Sequence, residues 1–187
     1  MRATASSLLI LGGARSGKSR YAVAQAQASG GRVAVLATAE PRDAEMAARI
    51  ARHRQERPAS WLTVEEPLEL VATLRRLAGS VDTVLVDCLT LWVSNQLERG
   101  WTDESAVASA EALAKLLAEQ PYSLILVSNE VGQGVHPETA DGLRFRDLLG
   151  LVNQTVAQAV DRLVLLVAGL PLTLKDQIPH ERASEAP

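Results

Sequence analysis

The chain has 187 residues, close to half of them apolar, a formal net charge of −3 and one cysteine, Cys88. That length suits a single domain with a real core, and the mildly acidic balance argues against a general nucleic-acid scaffold. A lone cysteine makes neither an intramolecular disulfide nor a metal cluster, and the first apolar segment is far too short for a signal or a membrane span. A soluble cytoplasmic protein without a nucleic-acid partner is therefore expected.

The first element is the apolar run Leu8 to Leu11, a buried parallel strand. It runs into Gly12-Gly13-Ala14-Arg15-Ser16-Gly17-Lys18-Ser19, which fits the phosphate-loop pattern Gly-x4-Gly-Lys-Ser, and a helical stretch Ser19–Ala28 follows. Strand, loop and helix are the context this motif requires. Its glycines let backbone N–H groups approach phosphate oxygens, and the helix that follows points its positive end at the same anion. Lys18 is expected to reach the terminal phosphates and the Ser19 hydroxyl to bind Mg²⁺.

Four further apolar runs predict strands at Arg32–Thr38, Val81–Asp87, Tyr122–Ser128 and Arg162–Ala168. None alternates apolar with polar, so each is expected to be buried on both faces, in a sheet covered by helices. Leu170–Leu174 predicts an edge strand with Pro171 at its start. Helical periodicity occupies the intervals. Asp43–Arg57 turns Met46, Ile50 and Ala47 inward and a dense set of arginines outward. Pro67–Ala78 begins with Pro67 in its first turn and carries the stripe Leu68, Val71, Leu74 and Leu77. Leu89–Leu97, Asp103–Glu119 and Asp141–Asp161 complete the set, the last with Leu148, Leu149, Val152, Val156 and Val160 facing the core. Residues 1–175 form one doubly wound α/β domain of the phosphate-loop type, and Asp176–Pro187 is read as a loose tail.

In open α/β sheets ligands sit at the carboxyl ends of the strands. That rule selects Asp87 as a Mg²⁺ residue, with helix capping as its alternative, and sets Asp82 at the wrong end. It also brings Thr38-Ala39-Glu40 and Asn129-Glu130-Val131-Gly132 to the pocket, where Glu130 is either a general base or a turn cap. Cys88 reads as a packed small residue. Of the three histidines, His180 is expected to be inert in the tail and His136 exposed in a loop. His53 stands among Arg49, Arg52, Arg54 and Arg57. An imidazole is a competent nucleophile toward phosphorus and arginines stabilise phosphate charge, although spacing alone equally describes a surface helix rich in arginine.

Taken together, several segments resemble the bifunctional adenosylcobinamide kinase/adenosylcobinamide-phosphate guanylyltransferase family. They are Gly12–Arg20, Ala37-Thr38-Ala39, Glu45–Ile50 with His53 and Arg57-Pro58, Trp61 to Glu66-Pro67, Val86–Thr90, Val127–Gly132, Phe145-Arg146-Asp147 and Val152-Asn153-Gln154. The similarity runs from about Leu8 to Lys175. The resemblance implies a RecA-like, mostly parallel sheet with helices on both faces and a homotrimer. It also implies a two-step enzyme of cobalamin assembly. ATP or GTP phosphorylates adenosylcobinamide, and GTP then donates GMP through a GMP–histidine intermediate, giving adenosylcobinamide-GDP and pyrophosphate.

By the same resemblance His53 matches the nucleophile. Gly13, Ala14, Arg15, Ser16, Gly17, Lys18, Ser19, Arg20, Ala37, Thr38, Ala39, Arg54, Gln55, Glu56, Arg57, Glu65 and Asp87 match nucleotide contacts, Glu65 having helix capping as its alternative. Mg²⁺, held by Ser19 and Asp87, is the implied cofactor. Because kinases use the outer phosphates and GMP transfer the innermost, a moving helix or two nucleotide poses are expected. A plain small-molecule kinase and a nucleotide-sensing module are the competing functions. Trp61, Trp92 and Trp101 are candidates to cover the corrinoid ring, against core packing.

Overall fold

Apolar runs that cannot show either face to water need helices on both sides, and the computed structural model, which describes residues 5–119 and 122–177, supplies them. The strands are β1 (Ser7–Gly12), β2 (Val33–Ala37), β3 (Leu62–Glu65), β4 (Thr83–Asp87), β5 (Ser123–Val127), β6 (Arg162–Val167) and β7 (Leu170–Asp176). They form one sheet in the order β3-β2-β4-β5-β1-β6-β7. All neighbours pair in parallel except β6 and β7. The helices are α1 (Lys18–Ser29), α2 (Ala44–Gln55), α3 (Leu70–Leu77), α4 (Leu89–Glu98), α5 (Asp103–Glu119) and α6 (Ala140–Ala159).

Successive side chains of each strand feed opposite layers. Leu8, Ile10, Val33, Val35, Leu85 and Ile125 pack under Ala22 and Ala26 of α1. Leu9, Leu36, Val84 and Leu124 pack against α3, α4, α5 and α6, through Leu74, Trp92, Leu113 and Leu149 among others. Trp92 is fully buried, and its indole N–H donates to the Leu68 carbonyl at 2.8 Å. It is a core residue, so it is not available to cover a macrocycle.

Polar staples fix the amino ends of the strands, away from the site. The Asp161 carboxylate accepts from the Ser7 N–H and hydroxyl, both at 2.7 Å, which ties β1 to β6. Asp82 accepts from the Arg32 N–H at 2.8 Å and from its guanidinium at 3.2 Å, which ties β2 to β4.

Four expectations are corrected. β3 was not anticipated: four residues at the sheet edge, none of them fully buried, carry too weak a pattern. α3 begins at Leu70 and not at Pro67, because the Glu66 carboxylate accepts from the N–H groups of Leu68 and Glu69 and holds that segment as a turn. Ala47 is exposed, and α2 has no fully buried residue. Asp176 closes β7, pairing with Arg162 at 3.6 Å, while the Gln177 N–H donates to Asp161, so the strand continues past the expected domain limit. The remainder of the expected tail, with His180, lies outside the described residues. Among the described residues no helix is long and apolar enough to cross a membrane.

Deleting the largest buried side chain removes both packing and a satisfied indole. Trp92→Ala is expected to cost about 3–5 kcal/mol in urea unfolding followed by circular dichroism, and a loss under 1 kcal/mol would contradict its place in the core.

Candidate active site

The sheet register lines up one row at the carboxyl edge. Glu65 pairs with Ala37, Ala37 with Asp87, and Asp87 with Val127. β1 lies just beyond β5, so the phosphate loop leaves the sheet beside this row.

The loop is built for an anion. Gly12 has φ 154°, and a Cβ there would stand 2.6 Å from both the Leu166 carbonyl oxygen and the Ser16 hydroxyl. Gly17, at φ 98°, starts α1 with no side-chain cap, which leaves the first helical N–H groups facing the loop. The Ser16 carbonyl accepts from the Gly169 N–H at 2.9 Å, so the β6–β7 turn braces the loop. Lys18 folds over it, donating to the carbonyls of Gly12 at 2.8 Å and Gly13 at 2.7 Å. Burial lowers its ammonium from the ordinary lysine value, and the Arg49 guanidinium adds to the fall. Arg15 and Gly13 are exposed, as is Arg20, which leans toward Gly169 of the turn.

α2 lies across the carboxyl edge. Its N-terminus is capped by Asp43, whose carboxylate accepts from the Met46 N–H at 2.6 Å. The loop before it is bolted to α4. Glu40 receives Arg99 at 2.7 Å and Arg42, and Arg42 also reaches Glu98 and, at 2.5 Å, Asn95. Arg99 and Arg42 hold the Glu40 carboxyl down to about 2. Beyond the C-terminus of the helix, Arg57 donates to Asp87 Oδ2 at 2.6 Å, and His53 Nδ1 stands 3.5 Å from the same oxygen. Burial alone would raise the Asp87 carboxyl, but the contacts from His53 and Arg57 outweigh it and hold the group below its ordinary value.

Between α2 and the sheet is a solvent-open cleft of about 540 Å³, lined by Ala37, Ala39, His53, Arg54, Arg57, Glu65 and Asp87 together with Met46, Arg49, Ile50, Thr63, Cys88 and Leu91. A smaller neighbouring cavity brings Ser19 together with His53, Glu56, Arg57 and Asp87. His53, Arg57 and Asp87 thus stand at the junction between the cleft and the phosphate-loop helix. Gln55 is exposed and lines neither.

Thr38 is fully buried and turned away from the cleft. Its hydroxyl donates to the Cys88 carbonyl at 2.7 Å and accepts from the Cys88 N–H at 2.9 Å. It clamps the chain just after Asp87. Burial, with Asp87 adjacent, pushes the Cys88 thiol up to about 11, which makes it a packed and unreactive group. α3 has no side-chain cap, the Glu66 carboxylate holds the turn before it, and Glu65 lines the cleft. The Glu130 carboxylate accepts from the Gly132 N–H at 2.6 Å, a turn cap, while its own N–H donates to the Gly12 carbonyl. Among the described residues no group of three or more His, Cys, Asp or Glu side chains forms a metal cage. Magnesium does not require one: a hydroxyl and a carboxylate sharing one cavity, as Ser19 and Asp87 do, are the usual protein share of a site completed by phosphate and water.

A sequence model of the family described as cobinamide kinase / cobinamide phosphate guanyltransferase matches residues 8–174. The chain belongs to this family. It is 48% identical over 169 residues to the bifunctional adenosylcobalamin biosynthesis protein CobP of Pseudomonas aeruginosa, covering 90% of this chain and 97% of that one. To the corresponding Escherichia coli protein, CobU, it is 38% identical over 180 residues, covering 90% and 99%. Among solved structures it is similar to an ATPase from the type III secretion system of pathogenic bacteria, with a TM-score of 0.58 at 12% identity over 91% of this chain and 57% of that one. That likeness shows the fold, a RecA-like phosphate-loop sheet. The family membership shows the activity: the chain is an adenosylcobinamide kinase and adenosylcobinamide-phosphate guanylyltransferase.

Sequence reasoning left Arg49 out of the site and took Met46 and Ile50 for packing residues. The spacing held the signal, since Arg49 and His53 are four residues apart and so share a face of α2. Thr38→Val removes the clamp on residue 88 and leaves its N–H unpaired, while its carbonyl keeps the Trp92 N–H at 3.2 Å. A loss of about 1–3 kcal/mol in chemical denaturation is expected. Unchanged stability would mean that the hydroxyl is not needed there.

Proposed function

We propose that both reactions of this enzyme run at the junction of cleft and phosphate loop, with Lys18 on the outer phosphates and His53 as the acceptor of GMP. The observation that carries this reading is the position of His53, beside Asp87, in the same cavity as Ser19 of the phosphate-loop helix. Main-chain N–H groups of residues 13–19, uncapped by any side chain at α1, would bind the phosphates. Ser19 and Asp87 would hold Mg²⁺, which when bound neutralises phosphate charge. Ala37, Ala39, Arg54 and Glu65 would line the nucleoside end of the cleft.

In the first step the Lys18 ammonium leaves its two carbonyls and follows charge onto the transferring phosphoryl group. In the second, the imidazole attacks. With the Asp87 carboxylate beside Nδ1, that nitrogen carries the proton and the lone pair lies on Nε2. The Nε2 lone pair forms a bond to the α-phosphorus, the bond from that phosphorus to the bridging oxygen breaks, and pyrophosphate departs with the electron pair. The positive charge left on the ring is offset by Asp87. A phosphate oxygen of adenosylcobinamide phosphate then attacks the same phosphorus, and neutral imidazole leaves. The reading includes a cytoplasmic setting, supported by the lone cysteine.

Incubation with GTP labelled at the α-phosphate should give an acid-labile, alkali-stable protein adduct. His53→Ala should abolish it while phosphorylation of adenosylcobinamide continues, and an undiminished adduct would remove the covalent role. Lys18→Ala should lower phosphorylation about a hundredfold or more, and near-normal rates at saturating nucleotide would count against its role.

We also infer a homo-oligomer, a trimer by the family resemblance. The edge strand β7 supports it, with Leu170, Leu172 and Leu174 at 72%, 54% and 54% exposure and Val167 beside them. Light scattering should give three chains per particle, and Leu172→Arg should shift it to one. A wild-type monomer at micromolar concentration would overturn this.

A further inference from the structure

Cations are abundant around the cleft, and most of them are already paired. Arg57, only 9% exposed, is bound to Asp87; Arg42 and Arg99 are bound to Glu40; Lys18 sits on two carbonyls. Arg49 is different. It lines the cleft from α2, one helical turn before His53, and among the described residues no carboxylate pairs with it. Its charge also bears on Lys18, whose ammonium it helps to lower after burial. Two like charges that feel one another are both stabilised by an anion held between them. α2 contributes no fully buried residue that would require this placement for packing.

We propose that Arg49 is a catalytic residue for GMP transfer, gripping the outer two phosphates from the helix side while Lys18 grips them from the loop. This rests on the reading of His53 as the GMP acceptor. The Cβ atoms of Arg49 and His53, four residues apart on one face of α2, stand about 5 to 6 Å apart, roughly the span from the innermost to the outermost phosphorus of a triphosphate. A single pose of the triphosphate then serves. Its outer end lies between Lys18 and Arg49, and its innermost phosphorus lies opposite the imidazole. As the bond from the α-phosphorus to the bridging oxygen breaks, the departing pyrophosphate gains charge, and a forked guanidinium is suited to receive it. The charge appears on the leaving group only as the reaction proceeds, so the contact strengthens toward the transition state and acts on rate more than on affinity.

Two measurements test this. In single-turnover labelling with α-labelled GTP, Arg49→Ala should slow adduct formation about a hundredfold, and Arg49→Lys should recover only part of the rate because it lacks the fork. Arg52→Ala, on the same helix but outside both cavities, should behave as wild type. In direct titration with pyrophosphate, Arg49→Ala should weaken binding about tenfold, again with Arg52→Ala unchanged. Adduct formation in Arg49→Ala within threefold of wild type, or full recovery in Arg49→Lys, would overturn the proposal, as would unaltered pyrophosphate affinity. If wild-type protein forms no adduct, the histidine reading is what fails, and the pyrophosphate titration still decides whether Arg49 grips that end.

Discussion

The architecture of this site depends on one carboxylate. Asp87 ends β4 in the middle of the carboxyl edge and receives both Arg57 and His53 on a single oxygen. α2 has no fully buried residue of its own, so apolar burial does little to dock it. What fixes it is polar and sits at its two ends: the Glu40, Arg42 and Arg99 network on α4, and the Asp87 contacts with Arg57 and His53. A helix held this way is positioned without being packed. The pairs of Glu40 with Arg42 and Arg99 are partly exposed and rearrange at low cost, whereas the largely buried Arg57–Asp87 pair is the firmer anchor.

The Arg57–Asp87 pair also sets the local electrostatics. Burial by itself would push the carboxyl toward its neutral form, and the contacts from His53 and Arg57 reverse that. The anion at the end of β4 is therefore maintained by His53 of α2 and by Arg57 just beyond it. Thr38 completes the arrangement from the other side, fixing residue 88 through both its N–H and its carbonyl. Three elements, β2, β4 and α2, thus converge on two consecutive residues of the chain.

Much of this was legible in the sequence. Uninterrupted apolar runs identified five strands, four of them buried along most of their length, whereas β6 buries only Val164 and Leu166 and exposes Val167, and the Gly-x4-Gly-Lys-Ser loop lies between strand and helix at the carboxyl edge. Asp82 and Asp87 were told apart because one opens and the other closes the same strand region. The remainder depended on contacts between distant residues. β3 is short and lies at an edge, so burial imposes no pattern on it. Glu65 and Glu66 are neighbours of identical charge, and only the folded contacts assign the turn before α3 to the second and the cleft to the first. Thr38 carries a hydroxyl that motif reading gives to the nucleotide and the fold gives to Cys88. Arg49 was hidden among arginines that differ only in which face of α2 they occupy.

The hold that Lys18 has on Gly12 and Gly13 bears on which anions the loop accepts. An incoming group must draw the ammonium away from two well-formed bonds, while the Gly12 carbonyl keeps the Glu130 N–H and the Gly13 carbonyl the Ser16 N–H. A lone inorganic phosphate offers little beyond what it displaces. A longer polyphosphate brings oxygens enough to repopulate the whole nest of amides as well. The Lys18 side chain is therefore also a filter, set against small competing ions.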